Sequence, residues 1–180
     1  MNDAIIEIPQ ELLAPASYSH YEGNLDLSVL KAGPDLYSFA QPIAWSIDLT
    51  NTGDAILLQG EAEATATTSC ARCLEPAEVD LFGELEGYGL VDGEDAPEDM
   101  EADEFSILPA DRKIDLAPII QAALLLDVPY VPLCSEDCKG LCPTCGANLN
   151  EGDCGCAAAT EEEVDASNPF AALRSLKLED

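Results

Sequence analysis

Eight cysteines are the residues of this 180-residue chain whose type and spacing could do chemistry. Six of them lie in the segment LCSEDCKGLCPTCGANLNEGDCGC, residues 133–156, and two lie in CARC, residues 70–73. They form four short pairs: Cys70-x2-Cys73, Cys134-x3-Cys138, Cys142-x2-Cys145 and Cys154-x-Cys156. Disulfide bonds, a redox centre and metal ligation are the three chemistries that such a set could serve.

Short cysteine pairs favour metal ligation. A two-residue gap lets the chain turn so that both sulfurs reach one ion, and Gly146 after CPTC lets backbone N–H groups approach the sulfur. Four thiolates form the tetrahedral site that zinc prefers. Iron in a rubredoxin-like site is the less favoured alternative, because sulfur spacing alone does not select the metal. A site saturated with four cysteines keeps no open position for water, so we expect structural zinc and no enzymatic activity.

Eight thiols could complete two such sites. The preferred partition has one local site and one site that joins two distant parts of the chain, and its members are Cys142, Cys145, Cys154 and Cys156 for the first, and Cys70, Cys73, Cys134 and Cys138 for the second. An alternative is one zinc ion, held by Cys134, Cys138, Cys142 and Cys145.

The other two chemistries are less well supported. The N-terminal sequence MNDAIIEIPQELL has neither the basic region nor the apolar core of a secretory signal. We therefore expect the protein to be in the reducing cytoplasm, where disulfides seldom persist. CARC matches a redox CxxC motif, but no helix pattern follows it to lower the thiol pKa. The single histidine, His20, lies in a polar stretch and is expected at the surface. The longest apolar run contains an acid and three prolines, which disfavours a membrane span.

The charge of the chain limits its partners. It has 36 acidic residues against 7 Lys and Arg, for a net charge of −29. Binding to a nucleic-acid backbone needs cations that neutralise phosphates, so DNA binding and a direct clamp on bare RNA are disfavoured. Such a surface should attract basic proteins. Solubility, or adaptation to a salty cytoplasm, would explain the charge without any partner.

Alternating hydrophobicity predicts that strands position the first cysteine pair. Along IAWSIDL the residues Ile43, Trp45, Ile47 and Leu49 point inward, and along LQGEAEATATT small residues alternate with Glu61, Glu63 and threonines. AEVDLFGELEGYGL continues this pattern with Ala77, Val79, Leu81 and Leu85 on one side, and NLDLSVL has Leu25, Leu27 and Val29 on one face. Cys70 and Cys73 are therefore expected in the loop between two antiparallel strands.

A helix should precede the second cysteine group. IDLAPIIQAALLLD has Asp115 as a candidate N-cap and Pro118 in the first turn, and it is apolar enough to be a core helix. VPYVP then predicts an extended exit into the cysteines.

The expected fold class is α+β: an antiparallel, β-rich N-terminal part with one core helix and a C-terminal, cysteine-rich, zinc-ribbon-like module. The β-rich domain should span residues 1–130, with a solvated acidic loop at 92–104, where eight of thirteen residues are acids. The zinc module should span 131–156. Residues 157–180 should form an acidic tether and a short helix that begins near Asn168.

Several of these motifs together resemble those of the YceD family, described as large ribosomal RNA subunit accumulation protein. The resemblance rests on CARCLEP after an alternating strand, IDLAPIIQAALLLDVPYVPLC, CKGLCPTCGANLN and the terminal NPFAALRSLK, in this order from about residue 55. It implies a non-enzymatic bacterial factor for synthesis, processing or stability of the 23S rRNA of the large ribosomal subunit.

The charge suggests how such a factor could meet its partners. We expect Glu61, Glu63 and the acidic run 92–104 to engage a cationic ribosomal protein. An escort of that protein without rRNA contact and a thiol redox protein are the alternatives. Arg72 and Lys139 lie inside the cysteine motifs and could form a small RNA-facing patch, or could offset the negative charge of zinc–thiolate centres.

Overall fold

The structure is a computed structural model that describes residues 4–90 and 106–156. The acidic run 92–104 and the predicted tether and helix of 157–180 lie outside these ranges. The described elements are β1 (Ile5–Glu7), a 3₁₀ helix (Gln10–Leu13), β2 (Tyr18–Leu25), β3 (Val29–Ala32), β4 (Asp35–Phe39), β5 (Ile43–Asn51), β6 (Ala55–Ser69), β7 (Pro76–Leu90), β8 (Ser106–Ile107), β9 (Lys113–Asp115) and α1 (Ala117–Asp127).

One large sheet carries the fold. Strands β6 and β7 form a long antiparallel hairpin whose register runs from Ala55 opposite Leu90 to Ser69 opposite Pro76. The first half of β6 also pairs with β5, which pairs with β2 at the edge, and its second half pairs with β4. Strand β4 continues to β3, and β7 pairs in parallel with the short β8. Strands β1 and β9 form a separate two-stranded sheet.

The predicted alternation in β5, β6 and β7 is confirmed. The inward residues of β5 are buried, as are Ala62, Ala66, Leu81 and Leu85 on the same face of the hairpin, while Glu61 and Glu63 are exposed. NLDLSVL, however, does not form one strand. Leu25 ends β2 and Val29 begins β3. Leu25 is buried and Val29 is exposed, so the two residues do not share one buried face.

Helix α1 covers the inner face of the sheet. Its buried residues Ala117, Ile120, Ala123 and Leu124 join the core formed by β5, β6 and β7. A Cβ atom at Gly83 of β7 would stand 2.8 Å from the Cβ of Ala123, so the absence of a side chain there lets the helix approach the strand closely.

The start of the helix differs from the prediction. Asp115 belongs to β9, where it pairs with Ile5, and Leu116 precedes the first helical residue, Ala117. The Asp115 carboxylate still accepts a hydrogen bond from the Ala117 N–H at 3.0 Å. Asp115 therefore accepts a hydrogen bond from one of the free N–H groups of the first turn, as an N-cap side chain does. It lies one residue before the N-cap position, which is Leu116.

The described residues thus have the α+β architecture that the sequence predicts, with the cysteines in a segment after the helix and at one hairpin tip. No helix among them is long and apolar enough to cross a membrane.

Candidate metal centre

The tip of the β6–β7 hairpin positions the first cysteine pair. Cys70 follows β6, and its backbone N–H donates to the Glu75 carbonyl at 2.8 Å. The Leu74 N–H donates back to the Cys70 carbonyl at 2.9 Å, with Leu74 at a positive φ of 64°. This tight turn brings the sulfurs of Cys70 and Cys73 to the same side of the tip, and both residues are buried.

The segment after α1 brings a second pair to the same place. The sulfur of Cys73 lies 3.5 Å from that of Cys134, and the sulfur of Cys70 lies 3.8 Å from that of Cys138. All four sulfurs are within 4.8 Å of one another. With Zn–S bonds of about 2.3 Å, a tetrahedral site has sulfur–sulfur edges of about 3.8 Å, so this group, the first tetrad, has dimensions that suit a thiolate-bound ion.

Backbone contacts hold the first tetrad together across a long sequence separation. The Ala71 N–H donates to the Pro132 carbonyl at 2.8 Å, and the Leu141 N–H donates to the Arg72 carbonyl at 3.1 Å. The Arg72 guanidinium also donates to the Cys138 carbonyl at 2.8 Å. The hairpin tip is therefore bound to the C-terminal segment even apart from any metal.

The remaining cysteines form a second tetrad, made of Cys142, Cys145, Cys154 and Cys156. Their sulfurs also lie within 4.8 Å of one another. Gly146 has a φ of 74°, and its N–H donates to the Cys142 carbonyl at 2.9 Å, which closes the CPTCG turn. The Cys142 N–H in turn donates to the Ala147 carbonyl at 2.8 Å.

The structure groups the eight cysteines in the preferred partition of the sequence analysis. Cys134 and Cys138 lie with Cys70 and Cys73, so the alternative single site, which combines them with Cys142 and Cys145, is not formed. Both tetrads have the donor set of a structural zinc site, and either could hold an ion. The choice of zinc over iron stays a prediction.

Backbone N–H groups lower the pKa of Cys70 in the first tetrad and of Cys142 in the second. Burial disfavours ionisation of Cys70, but the N–H groups of Cys73, Cys134 and Arg72 point at its sulfur, and the net effect lowers its pKa to about 6. The N–H groups of Cys145 and Thr144 likewise lower the pKa of Cys142 to about 6. Metal binding needs thiolates, so these amides prepare the sites for a cation.

Other cysteines of the tetrads resist ionisation because their neighbours are sulfurs. The Glu75 N–H favours the Cys73 thiolate, but burial and the three nearby sulfurs outweigh it and raise the Cys73 pKa to about 12. The sulfurs of Cys145 and Cys154 raise the pKa of Cys156 to about 12. Four thiolates at such distances repel one another, and a bound divalent cation would remove that repulsion.

Asn150 is a residue of the site that the sequence analysis missed. It lies in the loop between Cys145 and Cys154, yet its side-chain amide donates to the sulfur of Cys138 in the first tetrad at 3.3 Å. The only signal in the sequence is a pair of asparagines, Asn148 and Asn150, between two ligand pairs. Spacing alone could not assign that amide to a sulfur of the other tetrad.

The structure separates the predicted partner-binding residues into two places. Arg72 and Lys139 are both exposed beside the first tetrad, and the Arg72 side chain is engaged by the Cys138 carbonyl. Glu61 and Glu63 lie on the outer face of the sheet, which no described residue covers. His20 is also on this face, and its Nδ1 lies 2.7 Å from Asp48 Oδ1.

The outer face is acidic over several strands. Its exposed carboxylates come from neighbouring strands and are Glu22, Glu61, Glu63, Glu78, Asp80, Glu84 and Glu86. Glu61 lies directly opposite Glu84 across β6 and β7, and such like-charge pairs destabilise a sheet. A recess of about 480 Å³ opens between Glu22, Glu61 and Glu63. Among residues 4–90 and 106–156, His20 with Asp48 is the one contact between a basic and an acidic side chain within salt-bridge distance.

Comparison with known proteins finds relatives of similar sequence. A maize protein named Large ribosomal RNA subunit accumulation protein YCED homolog 1, chloroplastic, is 29% identical over 135 residues, which cover 61% of this chain and 46% of the maize protein. The protein of the same name from Arabidopsis thaliana is 28% identical over 163 residues, covering 77% of this chain and 50% of the relative. A Mycobacterium tuberculosis protein described as uncharacterized is 32% identical over 124 residues, covering 68% of this chain and 59% of that protein.

The chain thus spans about half the length of the curated relatives it matches. No solved structure matches it. The family model described as "Large ribosomal RNA subunit accumulation protein YceD" matches residues 58–177, a stretch that contains β7, α1 and all eight cysteines. This chain therefore belongs to the YceD family.

Proposed function

We propose that this protein is a non-enzymatic ribosome biogenesis factor that promotes synthesis, processing or accumulation of 23S rRNA for the large ribosomal subunit. The observation that carries this proposal is the family match over residues 58–177, because it includes most of the β6–β7 hairpin, the helix and both tetrads. In this role the protein works in the compartment that holds the ribosomes, which for a bacterial protein is the cytoplasm.

Zinc held by the two tetrads has a structural role in this proposal. Four thiols complete each tetrad, so a bound ion would have no open position for water or substrate. The first tetrad ties a hairpin tip to a segment more than 60 residues away in sequence, as the separation of Cys70 and Cys138 shows. A bound ion would stabilise this connection and keep the sheet and the cysteine segment in one rigid unit.

The acidic outer face is the surface that we assign to a partner. A negatively charged sheet face repels bare RNA but is complementary to a basic ribosomal protein. The recess between Glu22, Glu61 and Glu63 is large enough for a lysine or arginine side chain of such a partner. The protein would then act on rRNA through a cationic ribosomal protein that it delivers to, or holds on, the precursor.

A thiol redox protein is less well supported. The two cysteines with pKa values lowered to about 6, Cys70 and Cys142, are both buried, whereas a redox thiol must be reached by its substrate. The CARC pair also lies in a strand-to-strand turn, away from the start of α1 at Ala117. Titration of the native, metal-loaded protein with a thiol reagent separates the two functions, because protected thiols support the structural site and fast reaction at Cys70 or Cys73 supports redox chemistry.

Depletion of the protein in its own host, followed by ribosome profiling on sucrose gradients, tests the proposed function. We expect a smaller large-subunit peak and less 23S rRNA relative to 16S rRNA, with both restored by a plasmid copy of the wild-type gene. A normal large-subunit peak after verified depletion would refute the proposal, while leaving the metal-binding argument intact.

A further inference from the structure

The two tetrads are connected by a hydrogen bond that crosses from one to the other. Asn150 belongs to the loop of the second tetrad, between Cys145 and Cys154, and its side-chain nitrogen lies 3.3 Å from the sulfur of Cys138 in the first tetrad. Its side-chain oxygen accepts the Lys139 N–H at 2.8 Å. Both ends of one amide are therefore used next to one ligand of the first tetrad.

The orientation of this amide follows from its partners. A backbone N–H can only donate, so the oxygen of Asn150 must face Lys139. The NH₂ group then has to face Cys138, whose sulfur acts as the acceptor. A thiolate is a much better acceptor than a neutral thiol, and a metal-bound cysteine is a thiolate. The contact therefore fixes the direction of the Cys138 sulfur and would donate a hydrogen bond to it when it holds a metal.

The loop that presents Asn150 is held by the short segment that links Cys138 of the first tetrad to Cys142 of the second. The Leu149 N–H donates to the Gly140 carbonyl at 2.9 Å, and Leu141 forms an antiparallel bridge with Asn148. The same Leu141 N–H donates to the Arg72 carbonyl at the hairpin tip. The loop leaves and re-enters the second tetrad at Cys145 and Cys154, so an ion there would fix the ends of the segment that holds Asn150.

We infer that Asn150 is a positioning residue for the first metal site and couples it to the second, so that an ion in the second tetrad strengthens binding of an ion in the first. The coupling must be reciprocal, because a free energy shared between two sites affects both affinities equally. The second tetrad then has a role beyond folding its own loop, since it presents a hydrogen-bond donor to a ligand of the other site.

Competition between the full-length protein and a chelator for Zn²⁺ tests this inference in a double-mutant cycle. One mutation is Asn150→Ala, and the other is the pair Cys145→Ser and Cys154→Ser, which disables the second tetrad. We expect each to weaken zinc binding at the first site about tenfold or more, which is typical of the loss of a residue that orients a metal ligand. Combined, they should be little worse than the stronger one alone. Glu151→Ala is the matched control, because Glu151 is adjacent and exposed.

Asn150→Asp separates the sulfur contact from the anchoring of the loop. The aspartate can still accept the Lys139 N–H, but it presents a carboxylate to the Cys138 sulfur and repels the thiolate. We expect it to weaken the first site at least as much as Asn150→Ala. An unchanged affinity in both variants, or fully additive effects with the disabled second tetrad, would overturn the inference.

A measurement on the wild-type protein avoids any doubt about mutant folding. Stepwise addition of ¹¹³Cd²⁺ to the metal-free protein should give two thiolate-bound resonances, assigned with a Cys70→Ser variant. We expect the resonance of the first tetrad to shift as the second tetrad fills. The coupling would be contradicted if the chemical shift of the first-tetrad resonance did not change as the second tetrad fills. It would also be contradicted if no first-tetrad resonance were observed.

Discussion

At the scale of single residues, Gly83 sets the distance between the helix and the sheet. A Cβ atom built there would lie 2.8 Å from the Cβ of Ala123 and 3.1 Å from the backbone nitrogen of Leu124. Helix backbone cannot move away as easily as the end of a flexible side chain. Gly87, four residues along the same strand, has more space, with its nearest atom, the Cβ of Leu58, at 3.5 Å.

Gly83→Ala should therefore destabilise the protein, while Gly87→Ala should not. Forcing a methyl group into a well-packed contact costs about 1–3 kcal/mol. For a chain of this size each kcal/mol lowers the Tm by about 2–4 °C. Thermal unfolding followed by circular dichroism measures the effect. Equal Tm values for the two variants would show that α1 does not pack this closely on β7.

Asp48 is the centre of a small polar cluster on the outer face. The Tyr18 hydroxyl donates to its carboxylate at 2.6 Å, and His20 lies 2.7 Å from the same oxygen. The hydrogen bond from Tyr18 and then that from His20 lower the pKa of Asp48. A lowered carboxyl pKa adds stability above the ordinary pKa of the group, and that stability is lost as the pH falls through the folded-state value.

Tyr18→Phe should raise the pKa of Asp48 towards the ordinary value for aspartate, because it removes the largest cause of the shift. The variant should also lose less stability than the wild type when the pH falls below 4, since less of the Asp48 contribution remains to be lost. Carboxyl ¹³C chemical shifts during an acid titration report the pKa directly. Glu22→Gln on the same strand is the control, and an unmoved Asp48 pKa in Tyr18→Phe would contradict the assignment.

At the scale of elements, the first tetrad connects the β6–β7 hairpin to the segment after α1. The connection comprises the Ala71 and Leu141 backbone hydrogen bonds, the hydrogen bond from the Arg72 guanidinium to the Cys138 carbonyl, and the four sulfurs. Hydrogen bonds alone would leave this junction free to open locally. Structural zinc sites have binding free energies of order 10 kcal/mol, so an ion would dominate the stability of the junction.

Loss of one ligand should open this junction without unfolding the sheet. We expect purified wild-type protein to hold two equivalents of zinc and Cys138→Ser to hold one. Hydrogen exchange should become at least about tenfold faster at Ala71 and Leu141. A tenfold change in the opening equilibrium corresponds to only a small part of the binding free energy of zinc. Exchange within β5 should stay unchanged. Ser135→Ala in the same segment is the control, and metal-free protein with fully protected Ala71 and Leu141 would contradict the role of the ion.

The sequence predicts some of these elements better than others, for physical reasons. Strands β5, β6 and β7 are readable because one face is buried and the other polar, which gives a period of two. The start of α1 cannot be read from the sequence, because Asp115 pairs with Ile5 of a strand more than a hundred residues earlier. The cysteine partition follows from pairs that each turn locally. The contact of Asn150 with Cys138 cannot be predicted from local spacing, since it depends on how two loops pack.

At the scale of the whole molecule, the negative charge favours cationic partners over bare nucleic acid. The chain has a net charge of −29, and on the outer face the carboxylates of Glu61 and Glu84 lie directly opposite each other, which weakens the sheet. Solubility alone does not require acids to face one another across strands. A cationic partner would remove that repulsion on binding. The repulsion that destabilises the free protein would therefore favour formation of the complex.

If the outer face binds a basic ribosomal protein as proposed, charge reversal on this face should abolish that binding. Glu61→Lys with Glu63→Lys places cations opposite a cationic partner, and such like-charge contacts cost several kcal/mol, which corresponds to a loss of about a hundredfold or more in affinity. Glu11→Lys with Asp26→Lys makes the same change in net charge at exposed sites outside β5, β6 and β7, so this control should bind nearly as the wild type does. Pull-down of purified large-subunit proteins at moderate salt measures the difference. Equal losses in both variants would mean that only net charge matters, and retention of naked 23S rRNA fragments without any ribosomal protein would reverse the proposed order of contacts.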